Sequence, residues 1–149
     1  MKSANMQVEV FKALIGQDSK VGYYDLGDRV AFTCDAFTAF AVPKKQLYMD
    51  ISKMRQFPAL EPLFALTDED KELRVTKIEA NFGNSWGTLM KLKGDGFNAW
   101  IRKSWFQKYY FVGYSIRCAG NNKPVKLVMR DEVCAAILPC HVNEYALEK

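Results

Sequence analysis

The sequence has few of the side chains that metal sites and nucleophilic catalysis need, and it does not cluster them. Its 149 residues contain one histidine, His141, and four cysteines without a Cys-x-x-Cys pair. A zinc site or a Cys-His nucleophile pair would need several such groups in a recognisable pattern. The Gly94-Asp95-Gly96 stretch lacks the spacing of either phosphate-binding loop and is typical of a turn. We therefore predict a protein that is not an enzyme, with no catalytic residues, no metal and no cofactor.

Long apolar runs are missing as well. No stretch approaches the roughly eighteen apolar residues of a membrane-spanning helix, and the first six residues lead into no signal-like apolar region. The cysteines lie in apolar, strand-like surroundings without the density of a disulfide framework. We expect a cytoplasmic protein with reduced thiols and no membrane partner.

Positive charge is concentrated in one part of the chain. The net charge is only +4, but residues 71–130 carry twelve Lys and Arg against three Asp and Glu. Residues 1–70 carry eight against ten, and residues 131–149 carry one against four. Such asymmetry can create a surface that attracts phosphate backbones or an acidic protein. Solvated faces that point in several directions are the alternative.

Part of the sequence occurs twice. Phe11-Lys12-Ala13-Leu14-Ile15 is matched by Phe97-Asn98-Ala99-Trp100-Ile101, and in both copies a Tyr-Tyr pair begins twelve residues after the phenylalanine. Each copy later contains an apolar run that ends in proline, at Pro43 and Pro139. Repeats of this kind bear on the whole architecture. We predict one domain over residues 1–149, with an internal duplication of 4–50 and 94–142.

Periodicity predicts a helix followed by three strands in each copy. In the first copy, Val8, Phe11, Leu14 and Ile15 recur at helical spacing within a helix over 4–16. The strands predicted in the first copy are 21–26, 29–34 and 37–42. Between the copies we predict a helical insertion between 50 and 70 and strands at 73–82 and 88–93 with a turn at 83–87. The second copy is predicted to contain a helix over 97–108 and strands at 109–118, 124–129 and 133–138.

The second predicted helix is the strongest functional element. Phe97, Trp100, Ile101 and Trp105 fall on one face, which leaves cationic side chains on the others. Those cations can contact phosphates, and Tyr109 or Tyr110 can stack on unpaired bases if one is exposed. The candidate nucleic-acid contacts are Lys12, Lys91, Lys93, Arg102, Lys103, Lys108 and Arg117.

Two stretches resemble the sliding clamps of DNA replication, the family of the bacterial polymerase clamp. Residues 123–128 followed by 133–142 resemble the closing hairpin of that clamp, and residues 30–40 are similar to a clamp strand and turn that present a Thr-Asp pair, although Cys34 intervenes here. The resemblance implies helices whose basic side chains face DNA, among them those of Lys12, Arg102, Lys103 and Lys108. A bacterial clamp subunit has three such domains, and this chain has room for one.

The predicted fold class is therefore α+β, with two helix-plus-three-strand units that form one clamp-like domain with a central helical insertion. Three functions stay open at this point. The first is a nonenzymatic module that binds DNA or a protein–nucleic acid complex through a basic helix face. The second is a small inhibitor or adaptor, encoded by a mobile element, that binds a nuclease, polymerase or other replication factor through its aromatic surface. The third is an enzyme that acts through its acidic residues.

Overall fold

A nine-stranded antiparallel sheet is the main element of the part of the chain that the computed structural model describes, which comprises residues 3–16, 19–81 and 87–142. The strand order is β1-β2-β3-β9-β8-β7-β4-β5-β6. The elements are α1 (Ser3–Ile15), β1 (Gly22–Asp25), β2 (Arg29–Thr33), β3 (Thr38–Pro43), β4 (Lys71–Asn81), β5 (Thr88–Lys93), β6 (Asn98–Arg102), α2 (Lys103–Tyr109), β7 (Ser115–Cys118), β8 (Val125–Met129) and β9 (Glu132–Ile137).

Two three-stranded meanders, β1–β3 and β7–β9, meet where β3 pairs with β9. Alternation along these strands directs one set of side chains into a common core, which includes Phe32, Phe40, Leu127 and Ile137. The other face of the same strands carries small residues such as Ala39, and a second apolar cluster covers it. The sheet is therefore buried on both faces along its middle.

Strand β4 continues the sheet beyond the meanders. Its first residues, Lys71–Leu73, pair with β7, and the rest of the strand pairs with β5. The register with β5 shifts between Val75 and Glu79, which is the geometry of a bulge and bends the strand. The β4–β5–β6 unit is thereby turned relative to the meanders, and the sheet curls until the Cys140 N–H donates a hydrogen bond to the Trp100 carbonyl at 2.7 Å.

The opposite edge strand, β1, also has a backbone partner. The Tyr23 N–H donates to the Arg55 carbonyl at 3.0 Å, and the Phe57 N–H donates to the Tyr23 carbonyl at 2.8 Å. The close approach requires glycine at position 22, because a Cβ there would lie 2.4 Å from the Phe57 ring. Each edge strand thus has a backbone partner at one residue, which interrupts the row of groups that another strand would pair with.

The prediction of a central helical insertion between 50 and 70 is wrong. That region contains two short 3₁₀ turns, Pro58–Leu60 and Pro62–Phe64, each of which begins at a proline. Proline has no N–H to donate, so it starts a turn well but cannot continue a helix. Leu60 and Phe64 are buried and cover the alanine-bearing face of the sheet.

The prediction of a helix over 97–108 is also wrong in its first half. Residues 98–102 form β6, and α2 contains only seven residues. Ala99, Trp100 and Ile101 are all buried because β6 has the core on one face and covering segments on the other. A strand buried on both faces has a continuous apolar run, and this run also fits helical spacing.

The α+β fold class is therefore incorrect as predicted. A nine-stranded antiparallel sheet dominates the described residues, the β4–β5–β6 unit lies outside the two expected three-strand units, and the helices are small. The single domain over 1–149 and the duplication of 4–50 and 94–142 stay predictions. Most of the turn expected at 83–87 lies outside the described residues.

Helix α1 buries a different face from the one expected. Met6 and Val10 enter the core, whereas Val8, Phe11 and Ile15 are about half or more exposed, at 49%, 57% and 67%. The helix has apolar residues on both sides, so its periodicity alone did not identify the buried side. Within the described ranges, neither helix has the length and apolarity to cross a membrane.

Candidate nucleic-acid interface

Cationic side chains share one face of the β4–β5–β6 unit. Arg74 of β4 lies directly across from Lys93 of β5, which lies across from Asn98 of β6. Residues directly opposite in antiparallel strands point to the same face, as do residues two apart along one strand. Lys91 and Lys93 therefore share this face, and Arg102 joins them because it lies across from Leu89, two residues before Lys91. We call Arg74, Lys91, Lys93 and Arg102 the cation face.

The other face of the same strands is part of the core. Met90, Leu92, Ala99 and Ile101 alternate with the cation-face residues and are buried. A one-residue slip in register would exchange these two sets of side chains, so core packing holds the cations outward. Rigid strands rather than loops therefore carry the cation face, on which Arg74 and Lys93 are exposed and Lys91 and Arg102 are partly buried.

Aromatic rings position two of the four cations. The Lys91 Nζ lies 5.9 Å from the centre of the Trp100 ring, and the Arg102 Cζ lies 4.6 Å from the centre of the Trp105 ring. Trp105 in turn stacks on Phe37 with ring centres 5.8 Å apart. Cations over aromatic faces are held by the ring quadrupole without losing their charge.

The two lysines of α2 are engaged by carboxylates. Lys103 contacts Glu79 at 3.0 Å, and Lys108 contacts Glu9 of α1 at 2.8 Å. Burial lowers the pKa of Lys108, but the hydrogen bond to Glu9 and the interactions with Tyr109 and the Glu9 charge together outweigh burial and raise the pKa overall. The expected cationic side of the second helix is thus partly neutralised.

The remaining two sequence-predicted residues lie apart from the cation face. Lys12 is exposed on α1, one turn after Glu9. Arg117 lies on β7 directly across from Glu72 and beside Lys126 of β8, and its Nε is buried without an acceptor among the described residues. The structure therefore brings together Lys91, Lys93 and Arg102, adds Arg74, and separates Lys12, Lys103, Lys108 and Arg117. Arg74 was missed because strand pairing, not sequence proximity, places it beside Lys93.

Charge in this region stays positive after the acidic neighbours are counted. Residues 71–109 carry eight Lys and Arg and three Asp and Glu, a net +5. Of the three acids, Glu79 already pairs with Lys103, Glu72 lies across from Arg117, and Asp95 is in the exposed β5–β6 turn. A positive potential over the cation face follows from this balance.

The tyrosines expected to stack on bases are used inside the protein. Tyr109 is only 3% exposed and stacks on Phe40 with ring centres 6.0 Å apart. Tyr110 is half-buried and stacks on Phe106 at 4.6 Å. These rings support α2 against the sheet and are not free to receive a base.

A cleft of about 410 Å³ opens beside β6, where the sheet curls back to the segment after β9. We call it the polar cleft; its walls include Phe97, Asn98, Trp100, Asn121, Asn122 and His141. Cys140 also lines it, and burial raises the pKa of this thiol against an opposing effect of the Arg102 charge. Asn98 and Asn121 lie far apart in sequence, so the sequence carried no signal for the cleft.

A second cleft, of about 310 Å³, is apolar. It lies between the β2–β3 turn, the two 3₁₀ turns and the end of β9, and its walls include Phe37, Phe57, Leu63 and Leu138. Phe37 is 45% exposed there. This apolar cleft and, separately, the exposed apolar residues of α1 are surfaces suited to contact another protein.

Neither a metal site in the described ranges nor a related protein was found. Among the described residues, no group of three or more His, Cys, Asp or Glu side chains is arranged to hold a metal ion. No family model, curated protein or solved structure matches the chain. The resemblance to sliding clamps therefore stays a prediction from the sequence.

Proposed function

We propose that the protein is a nonenzymatic, cytoplasmic module that binds DNA or a protein–nucleic acid complex through the cation face. The observation that supports this proposal is the common direction of Arg74, Lys91, Lys93 and Arg102 on three adjoining strands. Sheet geometry spaces them by about 4.8 Å between strands and about 6.8 Å along a strand. A phosphate backbone is the ligand whose repeated negative charge such an array fits.

The proposed contacts are to phosphates, which carry no sequence information directly. The cation face is a sheet surface without a helix long enough to fill a major groove, since α2 has seven residues. Trp100 is only 5% exposed and Trp105 is already stacked, so neither supplies a free platform for bases. Binding should therefore depend on charge and salt rather than on sequence.

A small inhibitor or adaptor is the second candidate function. The exposed apolar stripe Val8, Phe11 and Ile15 on α1 supports it, because spacing of three and four residues puts these side chains on one helix face. A nuclease or a polymerase is the class of partner proposed for this alternative. It predicts that the chain captures its partner after nucleic acid has been digested.

The test is a salt titration of DNA binding with charge-neutralising variants. Each cation that contacts a phosphate contributes about −0.9 to the slope of log affinity against log salt for duplex DNA. We expect R74Q/K93Q to bind more weakly than the wild type and to reduce the magnitude of that slope by about 1.8. Fluorescence anisotropy with two unrelated duplexes measures both effects, which should be the same for each sequence.

The matched control is K45Q/K53Q, which removes the same charge from exposed positions outside the cation face. It should bind and titrate as the wild type does. Equal losses in both double variants would show that net charge alone attracts DNA, and a wild type that does not bind even at low salt would refute the proposal and favour the protein-binding alternative.

A further inference from the structure

We infer that the polar cleft receives one unstacked nucleotide, so that the preferred ligand of the cation face is single-stranded nucleic acid. This inference rests on the proposed function and specifies its substrate class. It follows from the position of the cleft, the chemistry of its walls and the geometry that a base must adopt to enter it.

The cleft is continuous with the cation face. Asn98 lines the cleft and lies directly across from Lys93, and Trp100 lines it and lies across from Lys91. Neighbouring strands are about 4.8 Å apart, so the backbone of each lysine lies about that distance from a residue that lines the cleft. A backbone held by Lys91 and Lys93 would bring its bases to the mouth of the cleft.

The walls combine polar groups with aromatic surface. Asn98, Asn121 and Asn122 each present an amide that can both donate and accept hydrogen bonds. None of these three side chains has a hydrogen bond to another described residue, and His141 is exposed at the same cleft. Phe97, which is partly exposed, supplies apolar surface to the lining. This composition matches the polar edge and the apolar faces of a nucleobase.

The size of the cleft suits a single unstacked base. A volume of about 410 Å³ lies within the roughly 300–1,000 Å³ typical of small-ligand sites. A base within a duplex cannot leave its stack without paying for unpairing and unstacking, whereas a base in a single strand can turn outward at much lower cost. The cation face alone would not distinguish the two forms, so any preference for single strands must come from the cleft.

The experiment compares labelled oligothymidylate and oligoadenylate single strands with the duplex that they form, at one salt concentration. We expect the wild type to bind at least one single strand more tightly than the duplex. N98A/N121A should weaken that single-strand binding about tenfold, because two amide hydrogen bonds are lost, while duplex affinity and the salt slope stay unchanged. Q107A, which removes an exposed amide on α2 outside the cleft, is the matched control and should bind both forms as the wild type does.

Thermal unfolding should show that N98A/N121A is folded, and N121A alone, at an exposed turn position, serves as the second variant. Single-strand binding that survives in these variants, or falls together with duplex binding, would overturn the inference and leave phosphate binding intact. A wild type that binds neither form would overturn the proposed function as well. R74Q/K93Q separates the two roles, since it should weaken both forms alike.

Discussion

One buried ion pair stands out at the scale of single residues. The Lys126 Nζ lies 3.0 Å from the Asp70 Oδ2 and donates to the Ala65 carbonyl at 2.6 Å, and the two side chains are 8% and 1% exposed. Asp70 also accepts from the Thr67 N–H at 2.8 Å. The pair therefore connects the loop at residues 65–70, which precedes β4, to strand β8.

Replacing one partner of this pair should lower the free energy of unfolding by more than replacing both. Lys126→Met leaves the Asp70 carboxylate buried without its cation, and we expect the free energy of unfolding to fall by about 3–5 kcal/mol. Asp70→Asn combined with Lys126→Met removes both charges and should recover part of that loss. Urea unfolding of the wild type, both single variants and the double variant gives the interaction free energy between Asp70 and Lys126. If the losses in the free energy of unfolding are additive, the two residues do not act as a pair.

This pair was not predictable from the local sequence. Thr67-Asp68-Glu69-Asp70 has the composition of an exposed linker, and Asp68 and Glu69 are indeed exposed. Asp70 is buried only because Lys126, on a strand distant in sequence, meets it. The same reason explains Arg74 and Asn98, whose importance depends on strand register.

At the scale of elements, α1 shows which side of an amphipathic helix matters for stability. Val10 is fully buried against the sheet, whereas Phe11 is 57% exposed although it is larger and more apolar. Gln7, on the buried side, bonds the Gln46 carbonyl at 2.7 Å and the Tyr48 N–H at 2.6 Å, which fixes the rotation of the helix. The two hydrogen bonds of this buried amide therefore favour the helix orientation in which Phe11 faces solvent.

Substitutions on the two sides of α1 should reverse the order expected from hydrophobicity. Val10→Ala should lower the free energy of unfolding by about 2 kcal/mol, because it removes fully buried methyl groups. Phe11→Ala should cost about 1 kcal/mol or less, because the ring is mostly in solvent. Chemical denaturation measures both, and a larger loss for Phe11→Ala would show that its ring is buried in solution, as a self-association interface would require.

Local pattern was sufficient for most strands and insufficient for their arrangement. Alternation and turn residues located seven of the nine strands within two residues, among them β5, whose predicted and observed bounds coincide at Thr88–Lys93. The strand predicted over 109–118 begins only at Ser115, because α2 extends to Tyr109. The missed strand, β6, is buried on both faces by segments that no local window contains. Of the candidate site, the cation-rich block was visible in the sequence, but which cations share a face was decided by pairing across strands.

At the scale of the whole molecule, Trp100 connects the edge strand β6 to the segment after β9, a strand in the middle of the sheet order. Its backbone accepts from Cys140, its ring contacts Lys91, and it is 5% exposed. A residue in this position stabilises the closure as well as the strand that contains it.

Trp100→Ala should therefore destabilise the entire fold. We expect a loss of about 3–5 kcal/mol in the free energy of unfolding, which is the usual cost of removing a buried aromatic ring. Tyr48→Ala, at an aromatic side chain that is 81% exposed, should change the stability by about 0.5 kcal/mol or less. Thermal unfolding by circular dichroism compares the two, and a Trp100→Ala protein as stable as Tyr48→Ala would show that the closure contributes little.

The pairing of β3 with β9 has a consequence for biosynthesis. β3 ends at Pro43, but its partner begins only at Glu132. At roughly 5–20 residues per second, a ribosome needs on the order of ten seconds to make the chain between them. Throughout that interval the first meander has an unpaired edge at Thr38–Phe40, so the nascent chain is open to wrong pairing until β9 has emerged.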